Sequence, residues 1–267
     1  MPVILRGQRE CGKIFIGNKD TVRRKGGKHM LLFYVRHGDP TYDPDCLTPL
    51  GRRQAEAVGR RLATFGVDKV FASTSTRAMQ TAQPVCEMLK TEMTTLDFAH
   101  EGRAWEDLAL DVDGGRRMWG FDIPKYRRMF IDEGVKRMGN EWYDHPYFED
   151  TTFKRGMHRV IRESDKWLAS LGYEHDHEAN CFRAVRPNDD RIALFAHAGF
   201  GLAFLSNVLD IPYPSMCVHF DMCHTGMTVI EFKETHGICI PKTLILSGDG
   251  HLLRDGMPTN YNNLVRF

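Results

Sequence analysis

The sequence predicts an α/β protein, a three-layer α/β/α sandwich on a mostly parallel central sheet with a cap region inserted into it. Three observations carry that expectation. Two apolar runs, Leu31-Leu32-Phe33-Tyr34-Val35 and Ile192-Ala193-Leu194-Phe195-Ala196, lack the alternation of a half-exposed strand and read as strands buried on both faces. Up to residue 98, short strands alternate with segments of helical period, which implies parallel pairing through right-handed crossovers. From residue 101 to about 150 the pattern gives way to an aperiodic stretch rich in aromatics and arginine, too long for a plain loop.

Taken in order, residues 1–29 carry an excess of Lys and Arg, including Arg23-Arg24-Lys25-Gly26-Gly27-Lys28, and are expected to form a poorly ordered basic extension ahead of a domain at 30–267. After a loop at 39–47, Thr48 and Pro49 are suited to the N-cap and first position of a helix, along which Ala55, Val58 and Leu62 recur until Phe65-Gly66. A strand at 69–72 runs through Ser73-Thr74-Ser75-Thr76-Arg77 into a helix ending near Leu89, and residues 93–98 form a third strand. The cap is expected over about 102–150. Phe153, Met157, Val160, Ile161, Trp167, Leu168 and Leu171 then mark an amphipathic helix closed by Gly172. Residues 174–190 read as a polar surface loop or hairpin, 191–196 as a strand, 200–209 as a helix stopped by Pro212, and 225–232 and 238–247 as two further strands.

Composition narrows the function. At 267 residues, 42% hydrophobic and 27% charged, the chain has the make-up of a soluble enzyme. A net charge of +1 gives no reason to expect nucleic acid or an anionic membrane as partner, so any anion site must be local. Seven irregularly spaced cysteines argue against a disulfide framework and for reduced thiols in a cytoplasmic setting. No apolar run approaches the ~20 residues of a membrane span, and no secretory signal is evident.

Chemistry concentrates where the two buried strands end, in Arg36-His37-Gly38 and in Ala196-His197-Ala198-Gly199. Open α/β sheets bind ligands at the carboxyl edges of their strands, and two adjacent parallel strands would set both rings at one edge. Arg77, in the first turn of its helix, opposes the helix dipole unless an anion sits with it. Two further patterns are weak. His175-Asp176-His177 lacks a third and fourth metal ligand, and Cys217-Val218-His219-Phe220-Asp221-Met222-Cys223-His224 has the wrong spacing for zinc; it reads as a connection in which His219 or His224 borders the site.

Arg36-His37-Gly38, Leu47-Thr48-Pro49-Leu50-Gly51-Arg52-Arg53-Gln54-Ala55, Ser73-Thr74-Ser75-Thr76-Arg77-Ala78-Met79-Gln80-Thr81-Ala82 and Ala196-His197-Ala198-Gly199, in that order, resemble the histidine phosphatase superfamily, also called phosphoglycerate mutase-like. The resemblance implies hydrolysis of phosphomonoesters through a phosphohistidine, with His37 as nucleophile and Arg36, Arg77 and His197 around the phosphate. It also implies a carboxylic acid a few residues after the third strand, beside a Trp. Glu101 and Glu106 straddle Trp105, and Glu101 is favoured as the one nearer the strand end. No cofactor or metal is implied, because two Arg and a second His already neutralise the phosphate. The expected partner is a small-molecule phosphomonoester, and a homodimer is compatible with the family. Where glycolytic mutases continue after the RHG tripeptide with a Ser-x-Trp-Asn-like segment, this chain has Asp39-Pro40-Thr41-Tyr42, which favours a phosphatase over a mutase-type phosphotransferase. A non-catalytic phospholigand-binding module is the remaining alternative. Specificity is expected in the insert, where Arg116, Arg117, Arg127 and Arg128 either meet a second anionic group or form a solvated face.

Overall fold

A computed structural model describes residues 28–112 and 114–259. Up to residue 27, the basic extension expected over 1–29 lies outside the described residues. Strand β1 (His29–Arg36) opens the domain, and its core residues Leu32 to Val35 are at most 1% exposed. The segment expected as a loop at 39–47 is instead a small antiparallel hairpin, β2 (Pro40–Tyr42) with β3 (Asp45–Leu47). Helix α1 (Pro49–Phe65) begins as predicted: the Thr48 hydroxyl accepts from the Gly51 N–H, Pro49 takes the first helical position, and Gly66 ends the helix at a φ of 73°.

β4 (Lys69–Ser73) leads into α2 (Thr76–Leu89), capped by the Ser75 hydroxyl. β5 (Met93–Leu96) stops two residues before the expected end, where Asp97–Ala99 turns as a 3-10 helix. The insert holds α3 (Glu101–Leu108), the hairpin β6 (Ala109–Val112) with β7 (Arg116–Trp119), and the short helices α4 (Pro124–Phe130) and α5 (Glu133–Arg137). α6 (Phe153–Ser170) is the predicted amphipathic helix. β8 (Tyr173–Asp176) and β9 (Cys181–Ala184) make the polar segment a hairpin, and β10 (Arg191–Ala196) is the second buried strand.

α7 (Ala198–Leu209) starts two residues earlier than expected, directly after His197, and is followed by α8 (Tyr213–His219). β11 (Met227–Thr235) runs further than the expected strand. The stretch at 238–247 is divided into β12 (Ile238–Cys239) and β13 (Lys242–Gly248), because Pro241 between them has no N–H to offer a ladder. The short α9 (Gly250–Arg254) completes the described elements.

Strands β5, β4, β10 and β1 pair in parallel, in that order, and β11, β12, β9 and β8 extend the sheet antiparallel beyond β1, with β13 also on β11. Alternation along the central strands builds the layers. Leu32, Tyr34, Ile192 and Leu194 join a core with α6, α7 and the insert, while Phe33, Val35, Ala193 and Phe195 face Val58, Leu62 and Val85 of α1 and α2. α1 and α2 cross closely because Gly59 leaves room for Pro84, whose ring would lie 3.0 Å from any Cβ at 59.

The insert has its own ring cluster. Trp142 is 1% exposed and packs against Phe130, Phe148, Phe153 and Tyr213 with centroids 5.0–5.7 Å apart. Buried Asp107 of α3 binds Arg155 and Arg159 of α6, with N···O distances of 2.7 Å to each. These contacts make the insert one body with the α6 layer. Trp142→Ala is therefore expected to cost about 3–5 kcal/mol in urea denaturation. A loss below ~1 kcal/mol would mean that the insert unfolds separately from the sheet.

Candidate active site

The register of β1 on β10 pairs Arg36 with Ala196, so the next residue of each strand, His37 and His197, emerges at the same carboxyl edge. Their ring centroids are 5.2 Å apart, and both rings are buried. His37 Nδ1 lies 2.7 Å from the Gly38 carbonyl oxygen, which can only accept, so Nδ1 carries the proton and Nε2 is left with its lone pair. Burial pushes the His37 pKa well below the usual imidazole range, helped by His197, Arg36 and Arg77. The ring is thus neutral at pH 7. Gly38 is required here: a Cβ would stand 2.7 Å from the Gly51 carbonyl oxygen, and its N–H donates to the Thr81 hydroxyl at 3.0 Å.

Arg77 projects from the first turn of α2 and is 8% exposed. Its Nη1 donates to Asp45 Oδ1 at 2.8 Å, its Nη2 to His197 Nδ1 at 3.1 Å, and its guanidinium stands 5.2 Å from the Tyr42 ring centroid. Because Nδ1 of His197 accepts, its Nε2 carries the proton and faces Ser73 Oγ at 2.8 Å. Burial, then Arg77, lower the His197 pKa well below its usual value. Arg36 donates to the Met222 carbonyl at 2.6 Å and to His224 Nε2 at 2.8 Å. His224 lies with its ring centroid 5.7 Å from His37 and is pulled down to about 3 by burial and Arg36.

Glu101, at the start of α3, reaches across to the N-terminus of α7. Its two carboxyl oxygens accept from the N–H groups of Gly199 at 3.0 Å and Phe200 at 2.9 Å. Burial raises its pKa, and the two N–H bonds with Arg77 and Arg36 only partly offset that. Glu106 is exposed, away from this group. Gly199 is close-packed from the other side: a Cβ there would lie 2.4 Å from Trp119 Cζ2 of the insert.

The structure therefore brings Arg36, His37, Arg77, Glu101 and His197 to one edge, with His224 among them. His219 lines a cleft of about 230 Å³ between the insert and the α7–α8 segment, together with Phe121, Arg127, Leu202 and Asp221. Of the four insert arginines only Arg127 reaches that cleft. Arg117 is spent on Asp111 and on the carbonyls of Glu106 and Ala109, and Arg128 lines an outer groove. Sequence reasoning missed Asp45, whose short hairpin carries no periodic signal. It gave Ser73 and Ser75 no place in the site, whereas both hydroxyls face His197 Nε2.

Residues 32–115 match the sequence profile of the histidine phosphatase superfamily (branch 1). The mitochondrial serine/threonine-protein phosphatase Pgam5 of Drosophila erecta is 34% identical over 93 residues, 31% of this chain and 32% of that protein. The 2,3-bisphosphoglycerate-dependent phosphoglycerate mutase of a Methylobacterium strain is 37% identical over 116 residues, 38% of this chain and 55% of that protein. The matched stretch thus spans a third to about half of these relatives. Among solved structures, an Entamoeba histolytica phosphoserine phosphatase bound to 3-phosphoglyceric acid superposes with a TM-score of 0.53 at 18% identity, covering 84% of this chain and 99% of that one. A mycobacterial glucosyl-3-phosphoglycerate phosphatase gives 0.55 at 17% identity, covering 83% of this chain and 100% of that one. These two likenesses establish the fold.

The buried neutral rings make stability depend on pH. His224 and His251, held at about 3 and about 4, join His37 and His197 below the imidazole value of 6.5. Below that value the unfolded chain binds protons that the folded chain refuses. Their contribution is therefore complete above pH ~6.5 and is lost as pH falls toward the folded values, while the carboxyls of Glu101 and Asp122, both raised by burial, oppose it in part. Urea midpoints are expected to drop between about pH 7 and pH 4.5, by up to about 1.4 kcal/mol per pH unit for each ring, with a shallower drop in His224→Gln. A flat profile would show that the rings titrate normally.

Proposed function

We infer, from the premise that the chain belongs to the histidine phosphatase superfamily, that it hydrolyses small phosphomonoesters through a phosphohistidine on His37, without a metal ion. One observation carries this reading. The Gly38 carbonyl holds the Nδ1 proton of a buried, neutral His37, which leaves Nε2 unprotonated beside two guanidinium groups.

In the proposed reaction, the Nε2 lone pair forms a bond to phosphorus as the ester P–O bond breaks in line. Glu101, whose burial raises its affinity for a proton, gives one to the leaving oxygen. The carboxylate then takes a proton from a water that attacks phosphorus, and the N–P bond breaks to release phosphate and neutral His37. Arg36, Arg77 and His197 stabilise the equatorial oxygens. Arg77 and His197 are bonded to one another in the structure, so a phosphate takes over the Arg77 Nη2 bond. The Ser73 hydroxyl can turn to donate to His197 Nε2, which frees Nδ1–H for the phosphate.

The cleft lined by Phe121, Leu202, Arg127 and Asp221 is the proposed seat of the leaving group, and its modest volume fits a small molecule. The proposed setting is the cytoplasm, with reduced thiols. The Methylobacterium relative supports a second reading, a mutase-type transfer from phospho-His37 to a sugar-acid hydroxyl instead of water.

The test is phosphate release from p-nitrophenyl phosphate and a panel of sugar, phospho-acid and phosphoserine esters in EDTA. Turnover that disappears in His37→Ala is the expected result, with Arg77→Ala about a hundredfold slower or worse. Release from no ester, but isomerisation of a phosphoglycerate, would replace hydrolysis by the mutase reading. Glu101→Gln should show a burst of about one p-nitrophenol per enzyme and then slow turnover, because this activated leaving group needs no acid whereas the water still needs a base. Normal steady-state turnover in that variant would remove Glu101 from the mechanism.

A further inference from the structure

The dipeptide-spaced pair His175 and His177 lacked a third ligand in the sequence; the fold supplies one. His175 of β8 faces α6, and His177, the first residue of the turn after that strand, falls on the same side, where Asp165 of α6 lies. His175 Nδ1 is 3.1 Å from Asp165 Oδ1, and His177 Nε2 is 2.8 Å from Oδ2. The ring centroids are 3.9 Å apart, and one potential ligand atom from each of the three residues lies within 4.8 Å of the others. We propose that Asp165, His175 and His177 bind one divalent d-block cation, zinc in preference, at a site separate from the phosphate pocket.

The donor set and its surroundings both fit. Two imidazoles and a carboxylate are the three-ligand complement of open zinc sites; ligand atoms of a tetrahedral zinc stand about 3.3 Å apart, and here the rings approach the carboxylate at 3.1 and 2.8 Å with all three ligand atoms within 4.8 Å of one another. The cation takes the place of the two ring protons now pointing at the carboxylate, so two hydrogen bonds become coordinate bonds. Two of the three ligands are also held from behind. Asn207 Nδ2 donates to Asp165 Oδ1 at 2.8 Å, and Asp210 Oδ1 lies 3.4 Å from His175 Nε2, the carboxylate–imidazole–metal pattern that fixes a ligand's tautomer. The His175 side chain is 1% exposed and stacks on Phe182 at 4.1 Å, whereas His177 is 49% exposed, which leaves the fourth position to water.

The site is remote from the chemistry. Asp210 caps the C-terminus of α7 and His197 its N-terminus, and twelve helical residues between them span about 18 Å. Bound there, the cation would tie the β8–β9 hairpin to α6 and to the end of α7.

The experiment is calorimetric titration of ZnCl2 into the untagged, chelator-stripped full chain, with Co2+ absorption as a second readout and thermal melting as a third. Expected are one saturable equivalent, ligand-field bands of a nitrogen–oxygen site and a raised melting temperature, all lost in His177→Ala, which alters a half-exposed side chain. Asp210→Asn should weaken binding about 10- to 100-fold. Absence of saturable binding would overturn the proposal. So would binding of equal strength in His177→Ala, or binding lost instead in His37→Ala, which would put the ion on other ligands.

Discussion

The parallel pairing of β1 with β10 is the constraint on which the rest of the site depends. Its register delivers two histidines to one edge without any loop having to find its own conformation, so their 5.2 Å separation is inherited from the sheet. Because both strands are buried, the rings enter a region where an imidazolium is costly, and burial, reinforced by the neighbouring guanidinium groups, keeps them neutral. The same burial would make Arg36 and Arg77 untenable if they stood alone. Arg77 is matched by Asp45 at 2.8 Å, and Arg36 by the Met222 carbonyl and His224. Two guanidinium groups and uncharged imidazoles, groups whose electrostatic demands conflict, are thus held together at one edge, and the surrounding hydrogen bonds reconcile them.

The insert contributes more than a roof. Glu101 sits where the chain leaves β5 for the insert, anchored to two N–H groups at the start of α7. A helix N-terminus favours a carboxylate, and burial disfavours it; the second effect is the larger here. Glu101, the proposed proton donor, therefore belongs at once to sheet and insert, and its proton affinity depends on how dry the junction is kept by Trp119 and its ring neighbours Trp105 and Phe121.

What was legible in the sequence was what repeats or is chemically singular. The buried strands, the Thr48 cap, the α6 stripe and both strand-end histidines announce themselves in a few residues. Glu101 is favoured over Glu106 in the sequence only as the one nearer the strand end; the structure seats its carboxyl on the N–H groups of Gly199 and Phe200, whereas Glu106 is exposed. The hairpin at 40–47 was lost because three-residue strands have no period, and Asp45 meets Arg77 across a sequence separation of 32. The β8–β9 hairpin is one of the readings the sequence offers for 174–190, but its joining to the sheet is hidden, because that pairing with β11 rests on two residues of β12. His175 and His177 were visible, but the carboxylate between them comes from the polar-looking Asp165 of a helix read only for its apolar stripe.

The contact between Gly199 and Trp119 bears on how such a chain can diversify. The indole occupies the volume that any side chain at 199 would fill, so the insert is keyed to α7 rather than laid over it. An insert from another protein grafted onto this sheet would bring either a ring of the same reach or a void above the helix turn that carries the Glu101 contacts. Recombination at the obvious boundaries would then produce a folded chimera with a wet, misplaced acid, and the two parts of the chain are bound to change together.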